Sequence, residues 1–239
     1  MRRFIRSVCA SAIAAIGSTA SAGMLQFTST SGNLQGTVRF EVDSMDSSKL
    51  IVTLTNSASA DVMVPADVLT GVFWDVSGAS LALTSVSAIL NTGSVVLFAS
   101  QPAGGVVGGE WGYNGALAGG GPESTDYGIS SSGLGLFGGP TFPGPDLDPP
   151  AALDGLNYGI TSAGDNPATG NSAVTGGRPL IKNSVVFTLS GLPSGFDPMA
   201  RINNIQFQYG TDLSEPHHPT PGAASLLGIA AIFAGRRRR

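Results

Sequence analysis

Residues 33–56 read NLQGTVRFEVDSMDSSKLIVTLTN. Apolar side chains alternate in the first half at Leu34, Val38, Phe40 and Val42, and in the second at Leu50, Val52 and Leu54. A period of two puts each set on one face of an extended chain, whereas a helix needs spacings of three and four. Ile51, Thr53 and Thr55 fall on the opposite face of the second run. Between the halves, SMDSS is a cluster of turn formers. The stretch therefore predicts a β-hairpin with one apolar face.

The same chemistry recurs along the chain. Strands are predicted at Val68–Val76, Leu81–Leu90, Ser94–Ala99, Asn183–Gly191 and Arg201–Gly210, in runs dominated by Thr, Val, Ile and Phe. No sustained helical period stands outside the two ends, and no clean internal repeat appears. The expectation is an all-β chain: an antiparallel β-sandwich, jelly-roll-like or Ig-like, over residues 23–213. Its core should include Val38, Phe40, Leu50, Val52, Leu54, Val72, Trp74, Val186, Phe187 and Phe207. Val186 and Phe187 are adjacent and cannot share one regular sheet face, so one of them should pack under the Gly-rich region.

That region runs from 102 to 179 and holds 21 of the 34 glycines, in stretches such as GGVVGGEWGYNGALAGGG (104–121) and LGLFGGPTFPGPDLDPP (134–150). Two readings compete. One is a flexible insert. The other is an ordered excursion packed by Trp111, Tyr113, Tyr127, Phe137, Phe142 and Tyr158. Disordered segments are poor in aromatics, which favours order.

Charge is distributed unevenly. Seven of the 12 cationic residues sit at the extreme ends, while all 16 acidic residues lie between, leaving a body with a net charge of −11. Such a body repels phosphate backbones, which argues against nucleic-acid binding. The single cysteine, Cys9, lies in the N-terminal segment, so a chain processed there has no disulfide and no thiolate chemistry. The two histidines, His217 and His218, stand in EPHHPTP, read as a Pro-rich linker over 214–221 that gives no scaffold for a catalytic triad.

Carboxylates are the remaining reactive groups. Glu110 adjoins Trp111, with Glu123 and Asp126 following, and an acid–nucleophile pair beside an aromatic is what a glycosidase needs. An aromatic packed under a Gly-rich loop accounts for GGEWGY equally simply. Asp146, Asp148 and Asp154 offer oxygens to calcium, but D-x-D-x5-D lacks the glycine and terminal glutamate of an EF-hand loop. Flanking prolines suggest a rigid exposed turn instead. The sequence assigns no catalytic residue, no cofactor and no metal, and points away from an enzyme.

The ends carry the clearest signals. MRRFIRSVCASAIAAIGSTASAG has a basic start, a short apolar stretch and the small-x-small site Ala20-Ser21-Ala22. This is the layout of a secretory signal peptide over 1–22, with cleavage after Ala22. At the other end, Gly222–Gly235 (GAASLLGIAAIFAG) is uncharged and is followed by Arg236, Arg237, Arg238 and Arg239. As a helix it reaches about 21 Å, short of a ~30 Å hydrocarbon core. The arginines then act as a cytoplasmic stop.

Prolines, a short apolar helix and a terminal arginine cluster, in that order, resemble the PEP-CTERM class of bacterial sorting signals. Pro219-Thr220-Pro221-Gly222 stands where Pro-Glu-Pro is usual. The body segments VLTGVFWDV (68–76), GGEWGY (108–113) and IQFQYGTDLSEP (205–216) are similar to those of exosortase-dependent surface proteins. The resemblance implies an exosortase-type membrane protease as processing partner, transient insertion of 222–239 in the inner membrane, and delivery to the cell surface or the medium. It implies no chemistry. An extracellular polysaccharide is the alternative partner, through a carbohydrate-binding or carbohydrate-cleaving domain.

Overall fold

The computed structural model describes residues 23–138 and 141–215, together with the backbone of 217–219. The expected signal peptide with Ala20 and Ala22 lies outside the described residues. So do Thr220, Pro221, Gly222 and Arg236–Arg239 of the expected sorting signal. In chain order the strands are β1 (Met24–Ser31), β2 (Leu34–Val42), β3 (Lys49–Asn56), β4 (Leu69–Val76), β5 (Thr84–Leu90), β6 (Val95–Leu97) and β7 (Gly112–Asn114). They continue with β8 (Tyr127–Ser130), β9 (Ile160–Thr161), β10 (Leu180–Lys182), β11 (Ser184–Ser190), β12 (Ile202–Tyr209) and β13 (His217–Pro219). A single helical turn, α1, spans Pro198–Arg201.

The hairpin read from 33–56 is β2 and β3, paired from Val42↔Leu50 to Gly36↔Asn56. This register aligns Val38 with Leu54 and Phe40 with Val52, so the apolar positions share one face. β1 adds to β2 through a two-residue Gly32-Asn33 turn that closes on Ser31↔Leu34. Gly32 takes φ of 57°, which only glycine adopts freely.

Two sheets result. The first runs β1-β2-β3-β11-β5 and the second β13-β12-β4-β9-β10-β6, with β8 added to β4 and β7 to β8. The protein is all-β and sandwich-like. Pairing is antiparallel except between β9 and β10, which run parallel. Their connection, 162–179, has the length a parallel crossover requires. Among the described residues, no helix is long and apolar enough to cross a membrane.

The core lies between the sheets. Val38, Phe40, Leu50, Val52 and Leu54 of the first meet Val72, Trp74, Phe207 and Tyr209 of the second, all fully buried. The Phe40 and Trp74 rings pack edge-on with centroids 5.3 Å apart. Nine of the ten expected core residues are in place. Val186 is the exception: it is half-buried on the outer face, opposite Thr53 and Ile89. The inward set on β11 is Val185, Phe187 and Leu189. Phe187 is the one that packs under the Gly-rich region, its ring 5.0 Å from Trp111 and 5.3 Å from Phe142.

The Gly-rich region is built into the second sheet, to which it contributes β7, β8 and β9. Trp111, Tyr127, Phe142 and Tyr158 are buried, and Phe137 packs edge-on against Phe73 at 6.0 Å. The C-terminal boundary also differs from expectation. Where the sequence reads a linker, residues 210–215 form a turn and His217–Pro219 pair antiparallel with Gln206–Gln208.

Candidate functional site

Four of the acidic residues singled out in the sequence, Glu110, Asp146, Asp148 and Asp154, gather around one loop. Gly108 and Gly109 let residues 143–146 lie directly on the backbone. A Cβ on Gly108 would stand 2.0 Å from the Pro143 carbonyl oxygen, and one on Gly109 2.1 Å from that of Pro145. No other residue permits this approach. Glu110 follows and turns beneath the same loop, 5% exposed. Its Oε1 accepts the N–H of Leu147 at 2.6 Å and of Asp148 at 3.0 Å.

Burial pushes the Glu110 carboxyl up to about 7; the N–H of Leu147 pulls it back, and the charges of Asp146 and Asp148 raise it further. Tyr158, beside the same carboxylates, is pushed up to about 12, first by burial and then by the Glu110 charge. The network extends outward. Asp148 Oδ2 accepts from Asn157 Nδ2 at 2.6 Å, Asn157 Oδ1 accepts from Arg178 Nη1 at 3.0 Å, and Arg178 lies 3.6 Å from Asp154 Oδ2.

These partners account for two of the three calcium candidates. Asp148 is taken by an amide and Asp154 by a guanidinium. Among the described residues, no group of three or more His, Asp or Glu is placed to hold a metal ion. The other two residues named for a glycosidase pair, Glu123 and Asp126, lie away from this loop, around Asp75 and Asn204. Asp126 Oδ1 accepts the Gly119 N–H at 2.8 Å, and the Asp126 N–H goes to Asp75 Oδ1 at 2.9 Å. Glu123 sits at φ 51° on the turn between β7 and β8, where its carbonyl accepts from Asn204. Trp111, fully buried against Phe187, offers no platform to a ligand.

A groove of about 350 Å³ opens beside β5 and β7, lined by Leu83, Thr84, Ser85, Tyr113, Asn114 and Phe137 among others, none of them charged. A smaller one of about 200 Å³ includes Asn56, Asp61 and Asp67 in its wall. The outer face of the first sheet carries Thr28, Thr37, Arg39, Glu41, Thr53 and Thr188. Its hydroxyls satisfy one another: Thr28 bonds Thr37 at 2.8 Å, Thr37 bonds Ser57 at 2.9 Å, and Thr84 bonds Ser190 at 2.8 Å. Arg39 and Glu41 form an ion pair on the same face. Polar groups spread across this face and do not converge on a point.

The last feature is the turn after β12, within the stretch IQFQYGTDLSEP that the sequence marks only by resemblance. Gly210 has φ of 69°, and its N–H goes to the Val68 carbonyl at 2.9 Å. The Glu215 carboxylate accepts the N–H of both Thr211 and Asp212. Asp212 in turn accepts the Ser214 N–H at 2.8 Å, and bonding to Ser214 holds its carboxyl below the usual range. Gln208 Nε2 donates to the Asp212 carbonyl at 2.9 Å. Glycine at the strand end, with Asp and Glu three apart, was the available signal.

No protein-family model matches this chain, and neither a curated protein nor a solved structure matches it.

Proposed function

We propose that this chain is a secreted bacterial cell-surface or extracellular-matrix protein. Residues 1–22 direct export, and Pro219–Arg239 is a sorting signal read by an exosortase-type membrane protease after transient insertion in the inner membrane. The observation that carries the reading is the order of the C-terminal parts: prolines, an uncharged run of 14 residues, then four arginines. Each arginine costs about 2.5–3.5 kcal/mol at the bilayer centre, so four hold the end in the cytoplasm. The many small residues of the run suit a transient substrate better than a durable anchor.

The body supports a structural role. Its open sheet face has hydroxyls bonded sideways, and its most perturbed carboxylate, Glu110, fastens a loop. We read the sandwich as jelly-roll-like or Ig-like. Cell fractionation tests the sorting account. Deleting Arg236–Arg239 should leave the protein mis-sorted but folded, whereas normal delivery of the deletion would end the sorting account.

The uncharged groove with Tyr113 and Phe137 favours a second reading, an extracellular carbohydrate-binding domain. Binding is preferred to cleavage because no carboxylate lines the groove. Affinity electrophoresis through the host's exopolysaccharide should show retardation that Phe137→Ala removes. Equal mobility with and without the polysaccharide would dismiss this reading.

A further inference from the structure

The segment IQFQYGTDLSEP (205–216) was singled out in the sequence, yet neither fold class nor sorting gives it a task. In the structure it is a strand followed by a turn that directs the chain back on itself. The turn is closed from within. Glu215 receives two backbone N–H groups, its own N–H returns to the Asp212 carbonyl at 3.0 Å, and Asp212 receives Ser214. Gly210 is required at the hinge: a Cβ there would lie 2.2 Å from the Glu215 carboxylate, and its φ is left-handed. What emerges is β13, running antiparallel along β12 in the register Gln208↔His217, Phe207↔His218 and Gln206↔Pro219.

The pairing has a built-in end. Extended by two residues, this register would set Pro221 opposite Asn204. Asn204 takes φ of 47° and sits within an irregularity of β12, where pairing with β4 also shifts. Pro219 and Pro221 have no N–H to continue a ladder. Proline is also suited to the outer strand of a sheet, where its missing donor faces no neighbour. Among the described residues the ladder runs to Pro219.

We infer that β13 belongs to the mature body, and that the proteolytic site separating body from tail lies beyond Pro219. A protease binds its substrate as an extended strand with its backbone groups free. His217–Pro219 commit their inward-facing backbone groups to β12, so the bond between His217 and His218 is masked in the folded domain. The same pairing covers the β12 edge, which would otherwise offer an open row of backbone groups to other chains. YGTDLSEP thus sets where the body ends and closes the sheet there. The inference rests on the sorting reading for the existence of a cut, but not for the docking of β13.

Limited digestion of the full chain with a broad-specificity protease, read by mass, tests the docking directly. The trimmed wild-type body should end at Pro219 or later. Glu215→Ala removes the acceptor for both amides, and its body should end at His217 or earlier, with thermal unfolding of the body retained. The His217 and His218 amides point to opposite sides of the strand, and the one directed at β12 should exchange slowly in the wild type and fast in the variant. A wild-type body ending before Pro219, or identical ends and exchange in both proteins, overturns the inference. On protein recovered from the host, a mature end between 210 and 218 also overturns it. An intact Arg239 there would instead refute the sorting reading and leave the digestion result to decide the docking.

Discussion

Glu110 shows how one residue couples local geometry to pH. Its carboxyl is held at about 7 in the folded chain, against an ordinary value of 4.5. A raised folded value means that the folded state binds the proton more tightly than the unfolded one. The associated stability is fully present below about 4.5 and is lost as pH rises through 7. Glu110→Gln keeps an oxygen for the Leu147 and Asp148 N–H groups and removes the charge. Urea unfolding between pH 5 and 8 should show a flatter profile for the variant, which should be more stable than wild type at pH 8 by about 1–2 kcal/mol after allowance for solvent. Parallel profiles would show that burial of this carboxylate has no energetic consequence. Next to it, Gly109→Ala must displace the Pro145 carbonyl, and should cost about 1–3 kcal/mol in the same measurement.

At the scale of elements, β11 decides which side chains face the core. Phe187 lies under Trp111 and Phe142, whereas Val186 points outward between Thr53 and Ile89. Phe187→Ala should therefore cost about 3–5 kcal/mol, and Val186→Thr less than about 1 kcal/mol. Comparable losses from both, measured by denaturant unfolding, would mean that the strand is rotated by one residue.

Strands with a clear two-residue period were legible in the sequence. β3 falls at the expected Lys49–Asn56, and β2, β4, β11 and β12 lie within a residue of expectation at each end. β1 carries a weaker signal: Leu25 and Phe27 alternate before a Gly-Asn turn. β7, β9 and β10 are two or three residues long, too short for any period to register. They hold their places through partners distant in sequence, as Ile181 does through Ile160. The aromatics of the Gly-rich region announced that it packs, but not that it supplies strands. The Asp146, Asp148 and Asp154 spacing suggested a ligand set because Asn157 and Arg178, which engage two of them, have no motif to mark them.

At the scale of the whole molecule, we propose a folded body flanked by two ends that serve delivery. The body's core draws on residues from Val38 to Tyr209. A chain ending at Pro219 should accordingly melt within about 2 °C of the full-length processed chain. Truncation at Glu215 should leave β12 open, and concentration-dependent association should appear in size-exclusion chromatography. The central claim is that the protein works as an exported body freed of both ends. The intact mass of the protein recovered from the surface or medium of its native host tests this most directly. The account predicts a chain that begins at Gly23 and lacks Arg236–Arg239, whereas a mass that retains Met1 or Arg239 would contradict it.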